Sequence, residues 1–274
     1  MMGAGSKPRT AAAHTADGTA RIGHPAAAVP PPGGGVHKLT YVYLPKHFTA
    51  RDRAAVEAFV DSAGAADLVT FDGTKPVASL IPIIWDRPAG AQDGHATGEN
   101  GHGRLLGHLA LANPQWRSAG PETVALAIVH GPQAYISPSW YPSTARHGKV
   151  VPTWNYVSVH FTGRLTVHRD PGWIRDVVNR LTARHEAGRP SPWRVSDAPG
   201  DFIDGQLRAI VGVEMAIATV EAKEKLSQNR DAEDRAGALD GLRHEPGTGP
   251  AAIADLMRSL PARREPGGGE PREP

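Results

Sequence analysis

Apolar positions along this chain recur in two rhythms, one of three to four residues and one of two, and the changes between them outline its elements. After LTYVYLPKHF (39–48), Thr49-Ala50-Arg51-Asp52 has the form of a capping box with Asp52 in place of the usual Glu. Val56, Phe59, Val60 and Ala63 then fall on one face of a helix that Gly64 ends. ADLVTF (66–71) and VASLIPIIW (77–85) flank the turn residues DGTKP, which predicts a hairpin. Pro82 offers no ladder donor, so its strand is expected at an edge or at a bulge. A Gly-rich stretch (87–103) precedes the strand RLLGHL, and ETVALAIVHG (122–131) is apolar enough to read as a strand buried on both faces. TWNYVSVHFTGRLTVH (153–168) predicts two strands joined around Gly163. A helix over 170–188 has Asp170 as N-cap, Pro171 at its first position and Gly188 past its end. IVGVEMAIATVE (210–221) places Val211, Val213, Met215 and Ile217 on one strand face, and a helix is expected to start near Ser227.

About six strands at hairpin spacing, with helices around them, favour a barrel over βαβ units. The fold class is therefore mainly β with peripheral helices (α+β). The ends break the pattern. Residues 1–38 are Ala, Gly and Pro with almost no large apolar side chain, and such a segment cannot bury enough surface to offset its ordering entropy. The division expected is a disordered tail at 1–38, one domain at 39–243, and a mostly disordered tail at 244–274 with room for a short helix.

Composition narrows the chemistry. With 30 Lys+Arg against 28 Asp+Glu, the net charge of +2 is a near balance and not a basic patch of the kind nucleic acid selects. No helix-turn-helix pair or basic recognition helix is evident, so direct DNA binding is only weakly supported. There is no cysteine, which excludes disulfides and Cys-ligated metal and fits a cytoplasmic setting. No signal peptide and no membrane-spanning run is visible.

No nucleophile or P-loop motif is present, and GENGHG (98–103) follows no strand-to-helix transition. Alternation in 153–162 puts Val157, Val159 and Phe161 with Thr153 and Asn155 on a core face, and Trp154, Tyr156, Ser158, His160 and Thr162 on the other. That second face, mixing aromatic, hydroxyl and imidazole groups, suits a lined pocket or a subunit interface. Aromatic residues are scarce (6 Trp, 5 Tyr), yet Tyr135, Trp140 and Tyr141 cluster in the proline-braced GPQAYISPSWYP (131–142). Of the histidines in predicted structure, His47, His108 and His160 sit among polar groups that can converge.

YLPKHF (43–48), ASLIP (78–82), GHLALANPQW (107–116), GPQAYISPSWYP (131–142), VPTWNYVSVH (151–160) and VEAKEKLSQNR (220–230) together resemble the PaiB-like family, usually described as FMN-binding negative transcriptional regulators. The likeness runs in order from about Tyr41 to Leu242. It implies a split β-barrel of the pyridoxamine-phosphate-oxidase type, a homodimer, and a flavin site at the subunit interface. Carried over onto matching positions, the cofactor-binding set is Lys46, His47, Ser79, His108, Asn113, Tyr135, Ser137, Trp140, Trp154, His160, Lys225 and Gln228.

Three positions depart from that pattern. Leu80 stands where relatives tend to have His, Leu111 where they tend to have Lys or Arg, and Gln133 where they usually have His. A flavin phosphate needs charge-assisted donors worth about 1.5–3 kcal/mol each, so the resemblance implies FMN with weakened anchoring, Lys46, Ser79 and Lys225 being the donors left. The family likeness also extends to haem-dependent piperazate synthases, which form an N–N bond. It thus leaves open a haem b enzyme, with His108 or His160 as axial ligand and no other metal site, or a flavin-dependent oxidoreductase on the same barrel.

Overall fold

The computed structural model describes residues 42–50, 52–87, 101–120 and 123–260. The expectations for the N-terminal tail, for most of the Gly-rich stretch and for residues beyond 260 lie outside these. Helix α1 (Arg53–Ala63) leads into strands β1 (Ala65–Phe71), β2 (Pro76–Asp86), β3 (Arg104–Ala110) and β4 (Val124–Ile136). After the short α2 (Pro142–His147) come β5 (Thr153–His168), α3 (Pro171–Glu186), α4 (Gly200–Arg208), β6 (Ile210–Lys225), α5 (Ala232–His244) and α6 (Thr248–Ser259). All strand pairs are antiparallel, and they close into a barrel in the order β1-β2-β3-β6-β5-β4.

Local chemistry accounts for the boundaries. Asp52 is itself the N-cap of α1, accepting from the Ala54 N–H at 2.9 Å, so the expected box with Thr49 is not used. Gly64, at φ 65°, ends the helix in the left-handed conformation, and the His185 ring leaves no room for a Cβ there. Asp170 caps α3 through the Trp173 N–H at 2.7 Å. The helix expected near Ser227 begins later, at Ala232. Asp231 caps it, and Ser227 lies in a turn at φ 61°.

Four strand readings change once the barrel closes. Pro82 lies neither at an edge nor at a bulge. It is the last residue of β2 to pair with β1, and pairing with β3 begins at Ile83, so its missing donor falls where β2 changes partner. The β4 stretch is not buried on both faces. Ala125, Ala127 and Val129 point inward, while Leu126 and Ile128 stay half-buried on the outer face. β5 is one strand, not two. Gly163 is needed because a Cβ there would lie 2.1 Å from the Ala216 carbonyl, opposite the point where the β5–β6 register shifts. Finally, β4 runs past Gly131 to Ile136, with a shift of register between His130 and Gln133. Proline is tolerated at a bulge, and Pro132 sits in this one.

The shift of register between His130 and Gln133 divides the interior. Inside the barrel, Val129, Val159, Phe161 and Ile217 are at most 1 % exposed, and the Trp85 and Phe161 rings meet edge to face with centroids 4.9 Å apart. Each such side chain stabilises by about 1.5–3 kcal/mol. Beyond that shift, Ala134, Ile136 and Val157 form a second core with Tyr141, Leu226, Ala238, Leu242, Ile253, Ala254 and Met257. Residues 244–260, expected in a tail with room for a short helix, supply α6, whose buried face is part of this core. The spacing of Ile253, Leu256, Met257 and Leu260 explains it: a single apolar helix stripe finds cover on α5 and β4. Helix α3 covers the outer side of β2, β3 and β6, with Val177 and Leu181 against Ile84 and Leu106. No helix among the described residues is long and apolar enough to cross a membrane.

Candidate functional site

The outer faces of β4, β5 and β6 carry a row-by-row array. Tyr135 pairs with Trp154; Gln133, Tyr156 and Lys225 form the next row; His130, Ser158 and Lys223 the next; Ile128, His160 and Glu221 the last. Its most enclosed cation is Lys223, 8 % exposed. The Lys223 Nζ donates to the Tyr43 carbonyl at 2.8 Å and lies 5.6 Å and 5.4 Å from the Tyr43 and Tyr156 ring centroids. The ammonium is held between two rings and a carbonyl in a partly desolvated place. The segment bearing Lys46 and His47 runs beside it: the Ala50 N–H bonds to the Ala222 carbonyl at 3.0 Å, and Thr49 bridges to Lys223. Lys46 and His47 are exposed at this border.

Neighbouring groups are tuned by the same crowding. Burial, helped by the charges of His130 and Lys223, lowers the His160 pKa and favours the neutral imidazole. Burial also lowers the Lys225 pKa, which Tyr156 opposes and Lys223 reinforces. The Lys225 Nζ donates to the Thr153 hydroxyl at 2.6 Å. His130 bonds Asp67 at 3.0 Å. On this face Trp154 and Tyr135 are 46 % and 48 % exposed, with ring centroids 6.3 Å apart. Leu80, further round on β2, is 71 % exposed.

The candidates named from the sequence do not all meet here. Tyr135, Trp154, His160 and Lys225 share the face, with Lys46 and His47 at its border. Ser79 lies on the inner side of β2, where its hydroxyl accepts from the Asn113 amide at 2.8 Å; Asn113 also caps the turn at Pro114. Ser137 caps the turn Pro138–Trp140. Trp140 packs on α5, where Cβ atoms at Gly237 and Gly241 would meet its carbonyl and its ring at 2.0 and 2.2 Å. Gln228 is spent on a turn, accepting from the Leu226 N–H and donating to the Glu224 carbonyl. His108 stands apart on β3, paired with Gly212, and its Nδ1 is buried without a hydrogen-bond partner; burial lowers its pKa.

The departures also separate. Gln133 is put to use, its carbonyl accepting from the Trp154 indole at 2.9 Å. Leu111 lies away from the β4–β5–β6 face, packing near Arg169 and Ile174. Lys223 and Tyr43, which this face brings together, were not among the candidates named from the sequence. The signal available was alternation, since Lys223 and Lys225 sit two apart on a strand, as do Ser158 and Tyr156 opposite them.

A closed antiparallel barrel with an aromatic and cationic outer face defines this as a split β-barrel protein of the FMN-binding type. The chain belongs to the PaiB-like family: residues 42–219 match the family described as "Putative FMN-binding domain". It is similar to the protease synthase and sporulation protein PAI 2 of Bacillus subtilis, with 28 % identity over 79 % of this chain and 96 % of that protein. An uncharacterised protein of Aspergillus fumigatus is 33 % identical over 60 % of this chain and 75 % of its own. Among solved structures, the FAD and heme binding protein from Mycobacterium smegmatis aligns at TM-score 0.46 and 17 % identity, over 69 % of this chain and 79 % of that one.

Proposed function

We propose that this protein binds FMN on the outer face of β4, β5 and β6, and that two copies pair across this face to enclose it. The observation carrying the reading is Lys223, a partly desolvated ammonium between Tyr43 and Tyr156, with Lys225 one row away. A flavin requires a planar apolar rest and fixed donors for its phosphate. Tyr156, Trp154 and Tyr135 offer the first, Lys223 and Lys225 the second. When bound, FMN would supply one- and two-electron redox chemistry; the chain's residues hold and orient it and exclude water. Half-exposed Trp154 and Tyr135 and exposed Leu80 are the apolar surface a second copy would cover.

The test is the visible spectrum of the purified chain, followed by dialysis against FMN. Flavin bands at one equivalent per chain are expected, lost at least tenfold in affinity in Lys223→Ala. Retention of flavin unchanged by Lys223→Ala together with Lys225→Ala would remove this site. A second reading, haem b, is favoured by His160, which burial keeps neutral and so able to ligate iron; a Soret band lost in His160→Ala is its signature. A cytoplasmic regulator is the setting we read for the protein, its output carried by the occupied dimer. Salt-dependent retention of promoter DNA only when flavin is bound would support that role, and no retention in either state would end it.

A further inference from the structure

A second concavity, of about 430 Å³, lies where the end of β3, the turn from β5 into α3 and the C-terminal end of α4 meet. None of the residues of the β4–β5–β6 face lines it. Three arginines do, Arg169, Arg175 and Arg208, against a single carboxylate, Asp204. Asp204 is paired with Arg175. The other carboxylate nearby, Asp170, is turned into its own helix to cap Trp173. Arg169 and Arg208 therefore have no ion-pair partner among the described residues. Arg169 is positioned by the Trp116 ring, its Cζ 5.7 Å from the centroid, and Trp116 in turn is anchored by its indole N–H on the Leu111 carbonyl at 3.0 Å. Between the arginines the lining is apolar: Leu111, Ile174 and Leu207.

We infer that this cleft binds a small organic anion, a carboxylate or phosphate head on an apolar body, independently of the flavin face. Guanidinium groups fit such heads bidentately, and the volume lies in the ordinary range of small-molecule sites. The head lies between Arg169 and Arg208, and the body rests on Leu111, Ile174 and Leu207. The neutralised Arg175–Asp204 pair forms a wall and not a competing charge. A purely inorganic anion leaves the apolar lining uncovered, and a neutral body leaves the two arginines without an anionic partner, so both are bound less well.

The experiment is calorimetric titration of the full chain at low ionic strength with phenyl phosphate, benzoate, benzyl alcohol and inorganic phosphate, without FMN and again with saturating FMN. Saturable binding of an aryl anion is expected, at least tenfold tighter than benzyl alcohol or inorganic phosphate and within twofold with FMN present. Arg169→Gln and Arg208→Gln, both exposed substitutions, each weaken it about tenfold, and Leu111→Glu, which sets a carboxylate into the lining, abolishes it, with circular dichroism showing the fold retained. The inference is overturned by no saturation with either aryl anion, by equal binding of inorganic phosphate or benzyl alcohol, by no effect of the two arginine substitutions, or by competition with FMN. Because the first arm contains no flavin, a failed flavin site leaves its outcome unaffected.

Discussion

Ile253→Ala probes the part of the chain whose role differs most between sequence and structure. Ile253 is fully buried on α6, in the core that α5, α6 and the extensions of β4 and β5 share. Removing three carbons there costs the transfer energy of the lost methyl and methylene groups plus a cavity term, because Leu242, Ile136 and Met257 around it relax only partly. Such truncations cost about 2–5 kcal/mol, which for a domain of this size lowers the melting temperature by about 2–4 °C per kcal/mol. Urea unfolding followed by tryptophan fluorescence suits the assay, since Trp140 packs against the same core. The control is Ala251→Ser, an exposed position on α6, with an expected cost of about 0.5 kcal/mol or less. If Ile253→Ala costs no more than the control, α6 is not part of the cooperative unit and the second core has been misread.

Other outcomes follow from named contacts. Gly241→Ala exchanges a poor helix former for the best one, a gain of about 1 kcal/mol by propensity alone. It nevertheless destabilises, because the new Cβ meets the Trp140 ring at 2.2 Å; a higher melting temperature would refute that packing. Asp61 and Asp86 are partly buried, which alone would raise their pKa, but hydrogen bonds from Arg87 and Arg184 to the first, and from Arg104 and Arg180 to the second, bring it below the ordinary carboxylate value. A lowered folded pKa means stability present above about pH 4 and lost as pH falls through the folded value. Asp61→Asn and Asp86→Asn should therefore lower the urea midpoint at neutral pH and converge on the parent chain near pH 2. Asn155 is fully buried, donating to Ser227 Oγ at 3.0 Å and contacting Met257 Sδ at 3.5 Å. Asn155→Ala should cost about 1–3 kcal/mol in the same unfolding assay while leaving flavin affinity intact; the reverse pattern would make Asn155 a ligand contact.

The barrel was legible because its strands alternate strictly where they face one core. Val211, Val213, Met215 and Ile217 announce their side without ambiguity, and Asp170-Pro171 announces a helix start by capping chemistry. What was not legible is where a strand changes partner or phase. Pro82 reads as an edge residue until β2 is seen to leave β1 there for β3. Gly131-Pro132 reads as a corner because both residues punctuate loops more often than bulges, and only cross-strand pairing carries β4 through them. The site suffered in the same way. Motif residues such as Asn113, Ser137, Trp140 and Gln228 hold turns and helix contacts away from the β4–β5–β6 face, and a local pattern does not show which motif residues the fold brings together. Lys223 went unremarked because nothing in sequence brings Tyr43 next to it.

One residue of β6 has consequences out of proportion to its side chain. Ile217 pairs with Gly163 and Thr219 with Thr162, so Ala218 has no counterpart on β5. Before it the odd-numbered residues point into the barrel; after it the even-numbered Val220 and Ala222 do. A single strand is thereby threaded as two sentences read in opposite phase, one on each side of Ala218. Deleting Ala218 would leave the composition almost untouched and swap every address after it: Lys223 and Lys225 would enter the barrel, and Val220 and Ala222 would face outward. In this protein the length of β6, counted to the residue, decides which way its lysines face.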